Sequence, residues 1–172
     1  VSVLFGSAVS ETKIGLTFDR PLFLGVEFPD ENAVDVTWTS DVDVTVLGNN
    51  ITSTSSGWSN GAVSNESIAA SEFGYVSTVV NEVNTNRMIG LSNGDTDQVF
   101  TDIDFAIYLN TSNLIIYEKG VSKGTYGTCE SGNVLKVVAT GSVVTYWKDD
   151  ELLYTSESVP TYPLLVDTSL NT

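Results

Sequence analysis

Asp102 and Asp104 stand two residues apart, and on a β-strand that spacing puts both carboxylates on one face. A pair so placed can fix sugar hydroxyls, contribute to a Ca²⁺ shell, or supply the nucleophile and a helper for glycoside hydrolysis. Retaining hydrolysis also requires a second carboxyl group about 5 Å from the nucleophile to act as the acid. Just upstream, Asn93-Gly94-Asp95-Thr96-Asp97 offers hard oxygen ligands on a short loop, with Asp95, Asp97 and Asp102 as candidate ligands for Ca²⁺. The loop lacks the length and the closing Glu of an EF-hand, and Gly-Asp-Thr-Asp is also ordinary turn chemistry.

Trp58, Tyr75, Tyr108, Tyr117, Tyr126, Tyr146 and Trp147 are the candidate stacking platforms, because an aromatic face packs against the apolar face of a pyranose ring. Tyr146 and Trp147 are neighbours on a strand and point to opposite faces, so only one belongs to the core. Arg87, one of two arginines, suits a carboxylate partner first and a glycan second. The residues singled out for carbohydrate are Asp102, Asp104, Arg87, Tyr108 and Trp58. Asn50-Ile51-Thr52, Asn65-Glu66-Ser67 and Asn110-Thr111-Ser112 match the N-glycosylation pattern, which matters only in a chain secreted through a glycosylating pathway.

The elements that must position these groups are strands. Residues 87–120 read as a strand, an acidic loop, and two strands joined by a tight Asn-Thr-Ser-Asn turn. Ile103, Phe105, Ile107 and Leu109 alternate with Asp102, Asp104, Ala106 and Tyr108, one apolar face against one mixed face. The 23 Val against 7 Ala, with 40 Ser plus Thr, favour strands over helices. Strand-like runs recur with turn punctuation at 1–5, 13–18, 22–28, 34–38, 42–47, 51–54, 73–81, 87–91, 103–109, 114–118, 135–140, 143–148, 152–155 and 164–167. That spacing predicts an all-β, antiparallel two-sheet sandwich. The sandwich spans residues 34–172. Residues 1–33 form a strand-rich N-terminal arm, too small to make a core of its own, which docks on its own sandwich, on a preceding domain or on another molecule.

With 7 basic and 22 acidic residues the chain carries a formal charge of −15, which excludes nucleic acid as a partner and opposes an anionic membrane surface. No apolar run reaches transmembrane length, so membrane insertion is not expected. The chain has no His, which removes the commonest general base. Cys129 is the only cysteine and reads as a small buried hydrophobe. The first residue is Val1 rather than Met, the mark of a processed protein or a fragment.

Residues 36–170 resemble the concanavalin A-like lectin/glucanase jelly rolls of bacterial and phage surface proteins. The resemblance is carried by Gly57-Trp58-Ser59-Asn60-Gly61-Ala62, by residues 87–92, by Asp102-Ile103-Asp104-Phe105-Ala106-Ile107-Tyr108-Leu109, and by Tyr117-Glu118-Lys119-Gly120. Residues 146–148, 153–156 and 163–167 complete it. It implies two antiparallel sheets and a role in glycan binding or surface architecture. In the glucanases of this group the acid is a Glu two or three residues after the second carboxylate. Here those positions hold Ala106 and Ile107, so no enzymatic activity is expected.

The sequence therefore predicts a non-catalytic extracellular module, at a cell or virion surface, that binds carbohydrate or serves adhesion. The rival is a structural subunit of a filament, pilus-like fibre or virion, assembled with neighbouring copies of itself by N-terminal strand addition.

Overall fold

A computed structural model describes residues 8–17 and 33–171. Among them there is no helix, and fifteen strands build two antiparallel sheets packed face to face, a β-sandwich of the jelly-roll kind. The first sheet runs β14 (Glu151–Thr155), β13 (Val143–Lys148), β12 (Val134–Thr140), β7 (Phe73–Val79), β1 (Ala8–Thr17), β5 (Asn50–Ser53), β4 (Val44–Leu47). The short β2 (Ala33–Asp35) also pairs with β1. The second runs β11 (Val121–Thr128), β10 (Asn113–Glu118), β9 (Phe105–Asn110), β8 (Asn86–Ser92), β15 (Leu164–Asn171), β6 (Gly61–Ile68), β3 (Trp38–Val42).

Period-2 alternation decides what lies between the sheets. Ile14, Ile51, Val76, Val137 and Tyr146 of the first sheet meet Ile89, Leu91, Phe105, Ile107, Leu114, Ile116 and Val166 of the second in one buried core. Cys129 belongs to this core at 2% exposure, and burial pushes its thiol up to about 11. Hairpin turns follow local chemistry. Asp149 and Asp150 both have φ > 0, as a two-residue turn between β13 and β14 requires, and Asn110 to Asn113 turns β9 into β10 through Thr111 at φ 53°.

The N-terminal strand lies inside the first sheet. On one side Ser10 and residues 13–17 pair with β7, and on the other Ala8 and Val9 pair with β5 while residues 13–15 pair with β2. The predicted strands at 1–5 and 22–28 fall outside the described residues. Two strands that lacked a clear apolar pattern are present, β6 (Gly61–Ile68) and the edge strand β11 (Val121–Thr128).

The inward face of the second sheet also carries charge, Arg87 on β8 and Glu118 on β10. Glu118 follows Leu114 and Ile116 on the inward face of β10 and is 4% exposed. Its Oε1 accepts from the Tyr146 hydroxyl at 3.3 Å across the sheets, and its Oε2 accepts from Ser158 Oγ at 3.2 Å and pairs with Lys123 Nζ at 3.3 Å. Removing the acceptor leaves a buried phenol without a partner, so Glu118→Ala should cost about 3 kcal/mol. Lys123→Ala leaves the buried Glu118 with its two hydroxyl donors but without its cation, and should cost less, about 2 kcal/mol. Urea unfolding of the two variants checks the order.

Candidate functional site

The second sheet carries a smaller apolar cluster on the face turned away from the main core. Met88 of β8 and Ala106 of β9 lie buried there, with Ile103, and Trp58, Phe100, Tyr108 and Tyr117 pack on them half-buried. Two connections build this cover, residues 54–60 between β5 and β6 and residues 93–104 between β8 and β9. Ser169 Oγ holds the first by donating to the Trp58 carbonyl at 2.8 Å, and the Gly57 amide donates to Asn171 Oδ1 at 3.1 Å.

The four rings interlock edge to face. Trp58 lies 5.3 Å from Tyr108 and 5.6 Å from Phe100, Phe100 lies 6.2 Å from Tyr117, and Tyr108 lies 5.6 Å from Tyr117. Such packing fixes each ring's tilt at about 0.5–1.5 kcal/mol per pair beyond burial, while part of each ring stays open to solvent. Burial and the neighbouring Tyr117 hold the Tyr108 phenol above its usual range, so it stays a neutral hydrogen-bonding group.

The acidic residues belong to the same cover, but not as the alternation suggested. Strand β9 begins at Phe105, so Asp102 and Asp104 lie in the connection, and Ile103 joins the outer cluster instead of the face of Phe105 and Ile107. The reason is local: the carboxylates turn back to cap loop amides. Asp104 Oδ2 accepts from the Asn93 amide at 2.9 Å, Asp102 Oδ2 from the Thr96 amide at 2.8 Å, and Asp97 Oδ1 from the Val99 amide at 2.8 Å. Asp95 Oδ1 accepts from Gln98 Nε2 at 3.1 Å, and Asp104 also pairs with Lys119 at 3.5 Å.

Among the described residues no three Asp, Glu or Cys side chains are grouped to hold a metal ion. On each of Asp95, Asp97 and Asp102, the residues offered for Ca²⁺, one carboxylate oxygen accepts a hydrogen bond from the loop itself.

Beneath this loop lies a residue that pattern reading passed over. Asp167 of β15 is fully buried, and its Oδ2 accepts from Ser92 Oγ at 2.7 Å. Its Oδ1 has no hydrogen-bond partner among the described residues. Burial first, then the charges of Asp102 and Asp95, push this carboxyl from 3.8 up to about 8, against the pull of Ser92 and the Thr168 amide. It is a neutral acid in the folded protein at neutral pH. Nothing in the local sequence Leu165-Val166-Asp167-Thr168 marks it, because its burial depends on a loop seventy residues upstream.

Arg87 does not join the site. It precedes Met88 on β8 and so points to the opposite face, where it donates to the Glu82 carbonyl at 2.6 Å and Thr85 Oγ1 at 3.0 Å and pairs with Glu82 at 3.8 Å. Burial lowers its pKa from the usual value. Tyr146 is a core residue, whereas Tyr75, next to the inward Val76 on β7, is buried on the other face of its sheet; neither has exposed surface. Tyr126 and Tyr154 pack 5.5 Å apart at the β11/β14 side, against Tyr146. Trp147 stands on the face opposite Tyr146, its indole donating to Thr145 Oγ1 at 2.8 Å. Of the sequon asparagines, Asn65 is exposed on β6, while Asn50 and Asn110 are half-buried at strand ends.

No protein family matches this chain, and no curated protein does. Solved structures do. An alginate lyase from Corynebacterium sp. is 12% identical, over 95% of this chain and 82% of that one, with a TM-score of 0.47. The PSpry domain of TRIM65 is 12% identical, over 88% of this chain and 98% of that one, with a TM-score of 0.59. At that identity the likeness to the PSpry domain shows the fold alone: the chain is a jelly-roll β-sandwich module.

Proposed function

We propose that this chain is a non-catalytic carbohydrate-binding module of an extracellular or virion surface, and that it binds through the outer face of the second sheet. The observation that carries this reading is the four-ring cluster of Trp58, Phe100, Tyr108 and Tyr117, half-exposed and rimmed by polar loop residues. Stacking rings with a few convergent polar groups is the composition that sugar recognition needs. The rim carries Asp95, Asp97, Asp102 and Asp104 against the single Lys119, so neutral or amino sugars fit it and uronic or sulfated glycans are repelled. Catalysis is a poor fit, because the chain has no His and the loop carboxylates are committed to backbone amides.

A glycan panel with neutral, amino and anionic members tests the reading. Binding to neutral or amino glycans is expected, and Trp58→Ala should weaken it at least about 10-fold, the loss of one stacking contact of roughly 1.4 kcal/mol. The main core is untouched by that change, so the far-ultraviolet spectrum should hold. A wild-type protein that ignores the whole panel removes the proposal.

A further inference from the structure

The place of β1 in the sheet carries a second reading, independent of any sugar. This strand separates β7 from β5 and β2, and both sides of it are hydrogen-bonded. Without it the first sheet would fall into two parts with facing open edges, which proteins do not leave uncovered. Ile14 drops into the sandwich core with no exposed surface, so the slot needs a side chain as well as a backbone.

How the strand is tethered decides whose slot it fills. Gly15 and Ala33 are register partners on adjacent strands, a separation that a turn of two to five residues can bridge. The sequence places fifteen residues between Thr17 and Ala33. Fully extended, that length reaches about 50 Å. A compact chain of this size is only about 40 Å across. The tether is long enough to carry the strand into a second molecule. The strand itself, Ala8–Thr17, holds one Glu and one Lys and so brings no net charge to an acidic acceptor.

We infer that the segment Ala8–Thr17 is exchanged between copies of this chain, entering the slot between β7 and the β5/β2 side of a second molecule in the register seen within one. The same hydrogen bonds and the same buried Ile14 are made either way. Concentration and the length of the tether then set the balance between the closed monomer and the exchanged form. Two copies that each carry −15 repel one another, so salt favours the exchanged form.

Register supplies the test. Lys13 and Ser77 are antiparallel partners, at a Cα spacing that a disulfide can span. Two versions of the chain, both with Cys129→Ala, carry Lys13→Cys and Ser77→Cys respectively, one of them lengthened by a tag. They are unfolded, mixed at high concentration in salt, refolded and oxidised. Exchange is expected to give a disulfide joining the long and short chains, in a fraction with at least twice the monomer mass. The inference is overturned if native mass spectrometry finds the wild-type chain monomeric at several hundred micromolar. It is equally overturned if no disulfide joins the long and short chains while a third version, bearing both Lys13→Cys and Ser77→Cys on Cys129→Ala, closes that disulfide within a single chain. Neither result bears on glycan binding, and a silent glycan panel does not bear on exchange.

Discussion

Asp167→Asn should stabilise the protein by up to roughly 5 kcal/mol at pH 8 and change it little at pH 4. The folded protein holds the Asp167 proton until about pH 8, whereas the unfolded chain releases it near 3.8. Between those values the unfolded state binds fewer protons than the native one, so native stability falls as pH rises. The slope is about 1.4 kcal/mol per pH unit for this one proton. The stabilising contribution of the neutral acid is fully present below 3.8 and is lost by the time pH passes through about 8. Asn keeps the shape and an oxygen for Ser92 but cannot ionise, so it removes the slope. Urea midpoints of both proteins across pH 4 to 9 measure the difference directly. Parallel curves would mean that Asp167 ionises normally in the fold, and that the loop does not exclude water from it.

Gly90→Ala should prevent native folding altogether. Gly90 sits in β8 between Ala106 of β9 and Asp167 of β15. A Cβ at this position would lie 1.9 Å from the Phe105 carbonyl oxygen and 2.8 Å from the Ala106 Cα. Both are backbone atoms of the paired strand, so no rotamer change can relieve the overlap. The strands must part, and the loss should exceed about 4 kcal/mol, the range reserved for disrupted cores and strained backbones. Gly48→Ala is the control. It meets nothing within 4 Å and carries only the strain of φ +62°, about 1 kcal/mol. A cooperative melt for Gly90→Ala like that of wild type would show that β8 and β9 are not held at this spacing.

The alternation at Phe105, Ile107 and Leu109, followed by a turn and a second apolar run, made the β9–β10 hairpin plain in the sequence. The runs at 143–148 and 152–155 did the same for β13–β14. The same alternation misled at its start. It runs on through Ile103 and Asp102, yet the chain there belongs to a loop, because carboxylates that can cap amides compete with the ladder. Trp58, Tyr108 and Tyr117 were legible as candidate platforms by residue type. Phe100 was not, since it lies in a polar connection and gains its meaning only by closing over the outer face. Asp167 was invisible for a related reason: strand neighbours set its direction, but a distant loop sets its burial. Strand β11, with two glycines and mostly exposed residues, gives a weak pattern because an edge strand buries little.

The two connections that cover the outer face lean on the second sheet, whereas the sandwich between the sheets is closed without them. On the proposed reading, the ring cluster is thereby divided between the two kinds of segment: Trp58 and Phe100 lie in the connections, Tyr108 and Tyr117 on β9 and β10. The exposed positions of residues 54–60 and 93–104 can diversify while the buried Asn60 and Ile103 tie both connections to the sheet. Such a division lets a lineage change what its surface meets at little risk to the scaffold, and it lets an engineer randomise the same exposed positions as a library.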